Sequence, residues 1–482
     1  MTDRPNQFYD PRLTEPALTR RFVFSNGRTS GKSSINGGIL EITNADGYYD
    51  DIYDWGFSGR TFTLYYGEDG GAFADYQMIQ KGTIQQAIFS YSSNQGSKLE
   101  FIVRDRQEEL DIPVQSTKFA GTNSGSTGLE GLAQDIKGNP KPLCFGQVYN
   151  ISAVAVNTNN LTYQVHDGPV NTISAVYDNG VALTPGTNHA NSAALVAATI
   201  AGGVFDTCVA EGYFRLGGNP AGLITADVQG DTTNGYKTTV ADIIYQIVIQ
   251  HSGLVAGDVD TTTFTALNTD CSYVVGLYVK EEQNITVLLD QLCESIGAYW
   301  SFSNEGKMIV GQLKAPSGTP DLYLDQYDLI EIDRVPIRDV ERGIPVYKVN
   351  LSYEKNYTVQ SNDAVAGSVT TARMAWLEQD YRVVSVEDTS VLTAHLLAPE
   401  MERITLLTSS TDAGNEASRL LTLYKTKRDL FNVVINRTTV DLMDVVSVSL
   451  NRFGMTSGKD FRVIGISDNT PSNGLMELQL WG

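Results

Sequence analysis

The sequence contains no long apolar run, and it has few cysteines and few histidines. No stretch approaches the roughly 18 consecutive apolar residues that a transmembrane helix requires. The first residues, Met-Thr-Asp-Arg-Pro-Asn-Gln, lack the apolar core of a secretion signal. We therefore expect no integral membrane segment and a product that folds in the cytoplasm. A length of 482 residues leaves room for three or four domains.

The four cysteines are far apart in the sequence. They form no C-x-x-C pair, and no histidine lies near them at the spacing of a zinc site. We expect buried, isolated thiols, with no metal and no cofactor. The positions are Cys144, Cys208, Cys271 and Cys293.

The four histidines are equally scattered, and none lies in an H-E-x-x-H frame. The chain has no G-x-S-x-G segment either, so no local signature of a nucleophile and its base is present. A pair assembled in space stays open at this point, because catalytic triads are defined by geometry and not by sequence order. We assign no catalytic residue and expect surface or hydrogen-bonded histidines at His166, His189, His251 and His395.

Positive charge is in short supply. The chain has 35 Lys and Arg against 56 Asp and Glu, a formal net charge of -21. Proteins that bind the phosphate backbone use basic patches, so stable binding of nucleic acid is not expected. Two interpretations remain: acidic residues that serve solubility, or an acidic conduit that repels DNA and lets it slide through.

Two segments resemble ligand-binding motifs without meeting their requirements. Residues 27–33, Gly-Arg-Thr-Ser-Gly-Lys-Ser, would place the first glycine of a phosphate loop at Asn26, and a turn and a strand follow instead of a helix. We interpret them as a hairpin loop. Residues 44–55 carry Asp46, Asp50, Asp51 and Asp54 without the spacing of an EF-hand. We interpret them as an acidic loop, with a subunit interface through Tyr48, Tyr49, Tyr53 and Trp55 as one option.

Residue patterns divide the chain into four units. A short strand is expected at residues 21–25, and apolar alternation in residues 38–43, 61–66, 87–91 and 98–103 predicts four more, so residues 1–112 are expected to form a small barrel or sandwich. Residues 113–235 are rich in Gly, Asn and Thr and read as a loop-rich β insertion. Residues 236–320 read as a small α+β domain, and residues 321–482 as a second β unit with one helix. The expected fold class is therefore mainly β with a small α+β part.

Three helices are expected from apolar spacing. Val240, Ile243, Ile244, Ile247 and Val248 lie on one face, with Thr238 or Thr239 as the N-cap. A second helix starts after Asn284 as N-cap, follows Leu288 and Leu292, and ends near Gly297. The third contains Ala417, Leu420, Leu421 and Tyr424, with Asp412 as a candidate cap.

Four passages, in order along the chain, resemble the hub family of phage tails, which is itself similar to the baseplate hubs of contractile tails. The first is Lys-Pro-Leu-Cys-Phe-Gly-Gln-Val-Tyr-Asn-Ile at 141–151. The others are residues 284–300, residues 343–359, and residues 453–466 with the ending Leu480-Trp-Gly482. We interpret the first passage as a hinge between domains, restricted by Pro140 and Pro142 and relaxed by Gly146.

The resemblance implies a virion protein at the tail tip, with two tube-like β-barrels per chain. Three chains would then present six similar barrels to a sixfold tail tube. The implied partners are the other two copies of a homotrimer, a distal tail protein, the tape-measure protein and a tip or central fibre protein. DNA would pass through during ejection without being bound, and virion assembly, not catalysis, would be the function.

Two departures from the family and two alternatives accompany this interpretation. Some relatives bind an iron–sulfur cluster through closely placed cysteines, and others carry fused lytic or receptor-binding domains; this sequence has neither pattern. A peptidoglycan-cleaving tail component and a host-surface binding module, the latter through the Asn- and Thr-rich insertion, stay open. The sequence identifies neither the host nor the type of tail, flexible or contractile.

Overall fold

The computed structural model shows a chain built mostly of strands. It describes residues 10–15, 19–25, 29–33, 37–68, 70–92, 96–124, 127–336, 343–468 and 474–482. Strands outnumber helices in this part of the chain, which confirms the predicted fold class, mainly β with a small α part. Two of the sheets, the first and the last along the chain, are open half-barrels. Short 3-10 turns lie at Asp50–Ile52, Phe73–Asp75, Arg106–Leu110, Ala256–Asp258 and Asn362–Ala364.

The first sheet has five antiparallel strands. They are β1 (Leu13–Glu15), β3 (Gly37–Thr43), β4 (Arg60–Tyr66), β5 (Gln77–Ser92) and β6 (Gly96–Asp105), in the spatial order β1-β3-β6-β5-β4. Alternation places Leu40 and Ile42 opposite Phe101 and Leu99, so one face is apolar. The four strands expected from alternation are confirmed. β5 is longer than expected, because the strand continues through Gly82.

Residues 143–231 form two more five-stranded sheets, the first of which also takes one strand from further along the chain. One has the order β11-β10-β15-β7-β16 and the other the order β12-β13-β14-β9-β8. The strands are β7 (Leu143–Ser152), β8 (Val154–Asn157), β9 (Thr162–Gln164), β10 (Val170–Asp178), β11 (Val181–Ala182), β12 (Thr184–Asn188), β13 (Val204–Cys208), β14 (Tyr213–Leu216), β15 (Ile224–Asp231) and β16 (Gly276–Val279), with helix α1 (Ser192–Ala197).

This region is more ordered than its composition indicates. Phe205, Phe214 and Val148 belong to an apolar core of its own, so the description as loop-rich is only partly right. A tight turn joins β10 to β11, with Asn179 and Gly180 both at positive φ. The strands are short and glycine is frequent, so the alternation of apolar residues is too weak to predict these sheets.

The α+β part contains three helices and a hairpin. They are α2 (Val240–His251), α3 (Thr261–Asp270), α4 (Ile285–Glu294), β17 (Ala298–Phe302) and β18 (Met308–Gln312). Thr239 caps α2 as predicted, and α3 was not predicted. Asn284 occupies the N-cap position of α4, but its side chain donates to Asp111 Oδ1 (2.7 Å) instead of capping the helix.

The last sheet has seven strands and includes one from the beginning of the chain. The strands are β2 (Thr19–Phe22), β19 (Leu322–Leu324), β20 (Leu329–Arg334), β24 (Leu430–Asn436), β25 (Val445–Val448), β26 (Lys459–Asp468) and β27 (Leu475–Trp481). The order is β19-β25-β26-β27-β24-β20, and β2 pairs with the second half of β26. The predicted first unit therefore contributes a strand to the predicted last one, and the division at residues 112, 235 and 320 stays a prediction.

A small sheet and three helices complete the chain. They are β21 (Lys348–Tyr353), β22 (Arg382–Glu387), β23 (Glu400–Ile404), α5 (Thr371–Leu377), α6 (Val391–Ala394) and α7 (Ser410–Tyr424). The predicted cap of α7 at Asp412 is wrong: Ser409 is the N-cap, and its side chain accepts the backbone N–H of Asp412. α7 packs mainly against β21 and β22. One large apolar core joins α2, α4, α7 and the last sheet, from Val23 to Trp481.

The segment interpreted as a hinge is part of a strand. β7 pairs with β15 on one side and with β16 on the other, so it lies inside a sheet and not between domains. Its apolar side chains are buried, namely Leu143, Phe145, Val148 and Ile151. Gly146 adopts φ +64, and a Cβ there would lie 2.0 Å from the carbonyl oxygen of Val275. Close approach to the neighbouring strand explains this glycine.

Candidate interaction surfaces

The structure brings two of the four histidines to either side of one buried ring. His166 and His251 contact Phe145 edge-on, with ring centroids 6.2 and 5.9 Å apart. His166 Nδ1 accepts the backbone N–H of Cys144 (3.0 Å), and its Nε2 lies 3.7 Å from Asp231 Oδ1. No pattern in the sequence indicates this group, because its members come from four separate segments of the chain.

The other two histidines lie elsewhere. His189 Nε2 is 2.8 Å from Asp206 Oδ2. The other carboxylate oxygen of Asp206, Oδ1, accepts the backbone N–H of Thr187. His395 follows α6. Within the described ranges, no three His, Cys, Asp or Glu residues are arranged to hold a metal ion.

All four cysteines are buried and none forms a disulfide, as the sequence predicts. Burial raises the pKa of each thiol, so the reactive thiolate is disfavoured. The assignment of Cys144 as a packing residue is supported by its complete burial in β7.

Burial also makes His251 a source of acid sensitivity. Loss of solvation lowers the pKa of His251 below its usual 6.5, and His166 lowers it further, while Asp231, Asp167 and a hydrogen bond to the backbone of Val114 act in the opposite direction. Above pH 6.5 both folded and unfolded chains hold His251 neutral. Below pH 6.5 the unfolded chain binds a proton at His251 more readily than the folded chain does. The free energy of unfolding therefore decreases as the pH is lowered.

We therefore expect the wild-type protein to lose stability on acidification relative to a His251→Gln variant. The difference in unfolding free energy should grow below pH 6.5 by at most about 1.4 kcal/mol per pH unit. Urea unfolding at several pH values measures it, with His395→Gln as the control. Parallel pH profiles for wild type and His251→Gln would contradict the assignment.

The segment that resembles a phosphate loop is packed against the body of the protein. The backbone N–H of Ser25 donates to the carbonyl of Lys32 (2.8 Å), which holds the two ends of the segment together. The backbone N–H of Ser33 donates to Asp290 Oδ1 (3.1 Å), and the Tyr424 hydroxyl bonds to Thr29. Residues 26–28 lie outside the described part. A carboxylate thus occupies a donor that a phosphate would need. The hairpin interpretation is wrong for the described residues, because β2 pairs with β26 and β3 pairs with β1 and β6, not with each other.

The acidic segment forms the connection between β3 and β4. Asp46 pairs with Arg12 through two bonds of 2.6 and 2.7 Å, and Asp50 accepts Asn44 Nδ2 (2.8 Å). The Arg12 guanidinium holds the pKa of Asp46 well below its usual range. These two carboxylates are thus used within the protein, while Tyr48, Tyr53 and Trp55 are exposed to solvent.

The first sheet ends in a partly unpaired edge. β5 pairs with β4 only up to Ile84, whereas it pairs with β6 as far as Ser92. Residues 86–92 of β5 therefore have no strand partner on one side among the described residues. This stretch, Gln-Ala-Ile-Phe-Ser-Tyr-Ser, contains no charge and no proline, the features that usually protect an edge.

The outward face of the last sheet is polar. Arg20, Asn432, Ser467, Glu477 and Gln479, with Phe22 and Gly465, line a shallow cavity of about 280 Å³. The register of β20 on β24 adds Glu331 and Asp333, both exposed, to the same face. The opposite face of this sheet contributes to the apolar core. One side is therefore fixed by the fold, and the other is free for a partner or for solvent.

The middle sheets are held to the C-terminal half by buried amides and an arginine. Asn150 Nδ2 donates to Asn356 Oδ1 (2.8 Å) and to the carbonyl of Thr358 (2.7 Å). The Arg373 guanidinium lies over the rings of Tyr177 (4.0 Å) and Trp376 (4.4 Å). Because buried amides need complementary partners, these contacts set one arrangement of the two parts.

None of the described helices is long and apolar enough to span a membrane.

No protein-family model matches the sequence, and a search of curated proteins found no match. Solved structures to which the chain is similar include three tail proteins. The first is a tail protein from Neisseria meningitidis MC58, with 9% identity over 97% of this chain and 96% of that one, and a TM-score of 0.40.

The second is the 43 kDa tail protein of prophage MuSo2 from Shewanella oneidensis, with 10% identity over 98% and 95% of the two chains and a TM-score of 0.38. The third is the prophage tail protein gp18 from Listeria monocytogenes EGD-e, with 8% identity over 99% and 91% and a TM-score of 0.39. Tail proteins are thus among the solved structures that this chain is similar to.

Proposed function

We propose that this protein is a structural, non-enzymatic component of a phage virion, a homotrimeric hub at the tail tip that closes the distal end of the tail tube. On one side it binds a distal tail protein and the end of the tape-measure protein. On the other side it binds a tip or central fibre protein. Its function is carried by interfaces, so no residue is assigned a catalytic role.

The observation that carries this proposal is the presence of two open sheets in one chain. The first sheet ends in the unpaired part of β5, and the last sheet ends in β20, which pairs only with β24 in the described part. Uncovered edges of this kind are available for pairing with another chain. Three copies around one axis would present six such sheets, which fits the sixfold tube implied by the resemblance.

Charge supports the passage of DNA in preference to its binding. The chain has a formal net charge of -21, and the polar face of the last sheet carries Glu331, Asp333 and Glu477. Arg20 is the basic residue among those that line the cavity of this face. An acidic wall repels a polyanion and does not retain it. We expect this face to line the central channel of the trimer.

We expect the purified chain to form trimers, and a Tyr91→Lys variant to form fewer of them. Tyr91 lies on the unpaired stretch of β5 and is 83% exposed, so the change should leave the fold intact while placing charge on the edge. Mass photometry over a range of concentrations measures the trimer fraction. Loss of about 1 kcal/mol per contact would weaken association several-fold at each interface.

The matched control is Val255→Lys, which adds the same charge at an exposed position outside the first sheet. It should assemble as the wild type does. A wild-type chain that stays monomeric at every concentration and is not incorporated into tails would contradict the proposal. Equal effects of the two lysine variants would contradict the role of the β5 edge.

A further inference from the structure

The loop between β3 and β4, residues 44–59 and here called the aromatic loop, exposes three large rings. Tyr48, Tyr53 and Trp55 are between 62% and 67% exposed. Large aromatic side chains are usually buried, and on surfaces they are enriched where partners bind. Tyr53 contacts Phe89 of β5, yet most of the surface of all three rings stays exposed to solvent.

The aromatic loop is held in a fixed conformation. Asn44 accepts the backbone N–H of Tyr49 (2.9 Å) and donates to Asp50 (2.8 Å). The Tyr53 ring packs edge-on against Phe89, with centroids 5.3 Å apart. A loop ordered in advance loses little conformational entropy when a partner binds.

The charge of this loop has one sign. It contains four aspartates and no Lys or Arg. Asp46 and Asp50 have partners within the protein, whereas the exposed side chains of Asp51 and Asp54 have none among the described residues. Asp51 and Asp54 flank Tyr53 and Trp55 in sequence. Unpaired carboxylates beside exposed aromatic faces are complementary to cations.

Arg12 already displays this chemistry at the base of the loop. Its guanidinium lies over the ring of Tyr48 at 4.7 Å and near that of Tyr49 at 5.6 Å, while Asp46 accepts two of its hydrogen bonds. Tyrosine faces and a carboxylate thus enclose one guanidinium here. The outer part of the loop has the same residue types, with the rings of Tyr53 and Trp55 and the carboxylates of Asp51 and Asp54. It has no Lys or Arg of its own to lie between them.

We propose that the aromatic loop binds a basic segment of a different protein, whose Arg or Lys side chains pack on Tyr53 and Trp55 and pair with Asp51 and Asp54. A second copy of this chain is the less suitable occupant, because it carries the same net charge of -21. The inference stands apart from the ring proposed above, since it needs no contact between copies of the chain.

The test uses the full chain and a fluorescent peptide of alternating Arg and Gly as the probe, with anisotropy as the readout. We expect binding by the wild type and about tenfold weaker binding by Trp55→Ala and by the double variant Asp51→Asn/Asp54→Asn. Trp55→Phe should keep most of the affinity. An alternating Glu and Gly peptide should not bind.

The matched control is Tyr327→Ala, which removes a tyrosine that is even more exposed (85%) and lies between two carboxylates, Asp325 and Asp328, in another part of the chain. It should bind the Arg peptide as the wild type does. Undetectable binding of the Arg peptide to the wild type, or equal affinities of Trp55→Ala and wild type, would overturn the proposal. Equal losses in Tyr327→Ala and Trp55→Ala would also overturn it, since any exposed ring beside carboxylates would then bind the peptide. Trimer formation measured on the same variants keeps this outcome separate from failure of the ring.

Discussion

An Arg419→Leu variant is expected to lose about 3–5 kcal/mol of unfolding free energy near pH 8, because it leaves a buried carboxylate without a partner. Glu416 in α7 is completely buried, and Arg419 binds it through two bonds of 2.7 and 2.8 Å. The guanidinium also donates to the carbonyls of Leu313 and Ile296, which joins α7 to the α+β part. Denaturant unfolding of the purified protein measures the loss.

The loss should shrink as the pH falls. Burial raises the pKa of Glu416 above 4.5 even beside Arg419, and removing the cation raises it further. A carboxyl with a raised folded-state pKa favours folding at low pH and opposes it at high pH. The profile of Arg419→Leu should therefore approach that of the wild type towards pH 5.

A double variant separates charge from packing. Glu416→Leu/Arg419→Leu removes both ions, and we expect it to recover most of the stability lost by Arg419→Leu, since an apolar pair of similar volume has no desolvation penalty. A double variant as unstable as the single one, with no dependence on pH, would show that the carbonyl contacts of Arg419 matter more than the ion pair.

A Gly146→Ala variant is expected to be destabilised by about 2–5 kcal/mol, the sum of a left-handed backbone strain of about 1–2 kcal/mol and overpacking of about 1–3 kcal/mol. Gly146 has φ +64, and a Cβ would meet the carbonyl oxygen of Val275 at 2.0 Å. The Val275 carbonyl is part of the backbone, so it cannot move aside for a new Cβ as the end of a flexible side chain could. β7 and β16 would have to separate, which is visible as faster amide exchange in both strands.

Gly138→Ala is the matched control for this change. Gly138 also has a positive φ, +82, but no atom lies within 4 Å of the Cβ position. Only the backbone strain remains, so we expect a loss of about 1–2 kcal/mol. Equal losses in the two variants would mean that β7 and β16 can move apart without cost.

Local patterns predicted what depends on local physics. The apolar spacing of Val240, Ile244 and Ile247 predicts α2, because a helix that buries one face must repeat its apolar residues every three or four positions. Alternation predicts β3 and β4 in the same way. Capping was predicted less well: Thr239 caps as expected, but Asn284 turns to Asp111 and Ser409 replaces Asp412. Side chains at helix ends choose among partners that are distant in sequence.

Contacts between distant residues were not predicted. The rings of His166, Phe145 and His251 meet because β7 and α2 pack together, and no spacing in the sequence encodes that meeting. The composition of the aromatic loop indicates an interface as one option. Its fixed conformation depends on Arg12, which is 34 residues from Asp46, so only the structure could reveal it.

The position of β2 has a consequence for synthesis. β2 lies at residues 19–22, and its partners in β26 are residues 465–468. On the ribosome this strand must remain unpaired until residues 465–468 have been made, whereas β3 to β6 can pair among themselves much earlier. Pairing over so long a separation is slow, and the waiting strand is open to wrong partners. Pairing of β2 with β26 is therefore expected to be a late step in the folding of this protein, and one that is sensitive to chaperones.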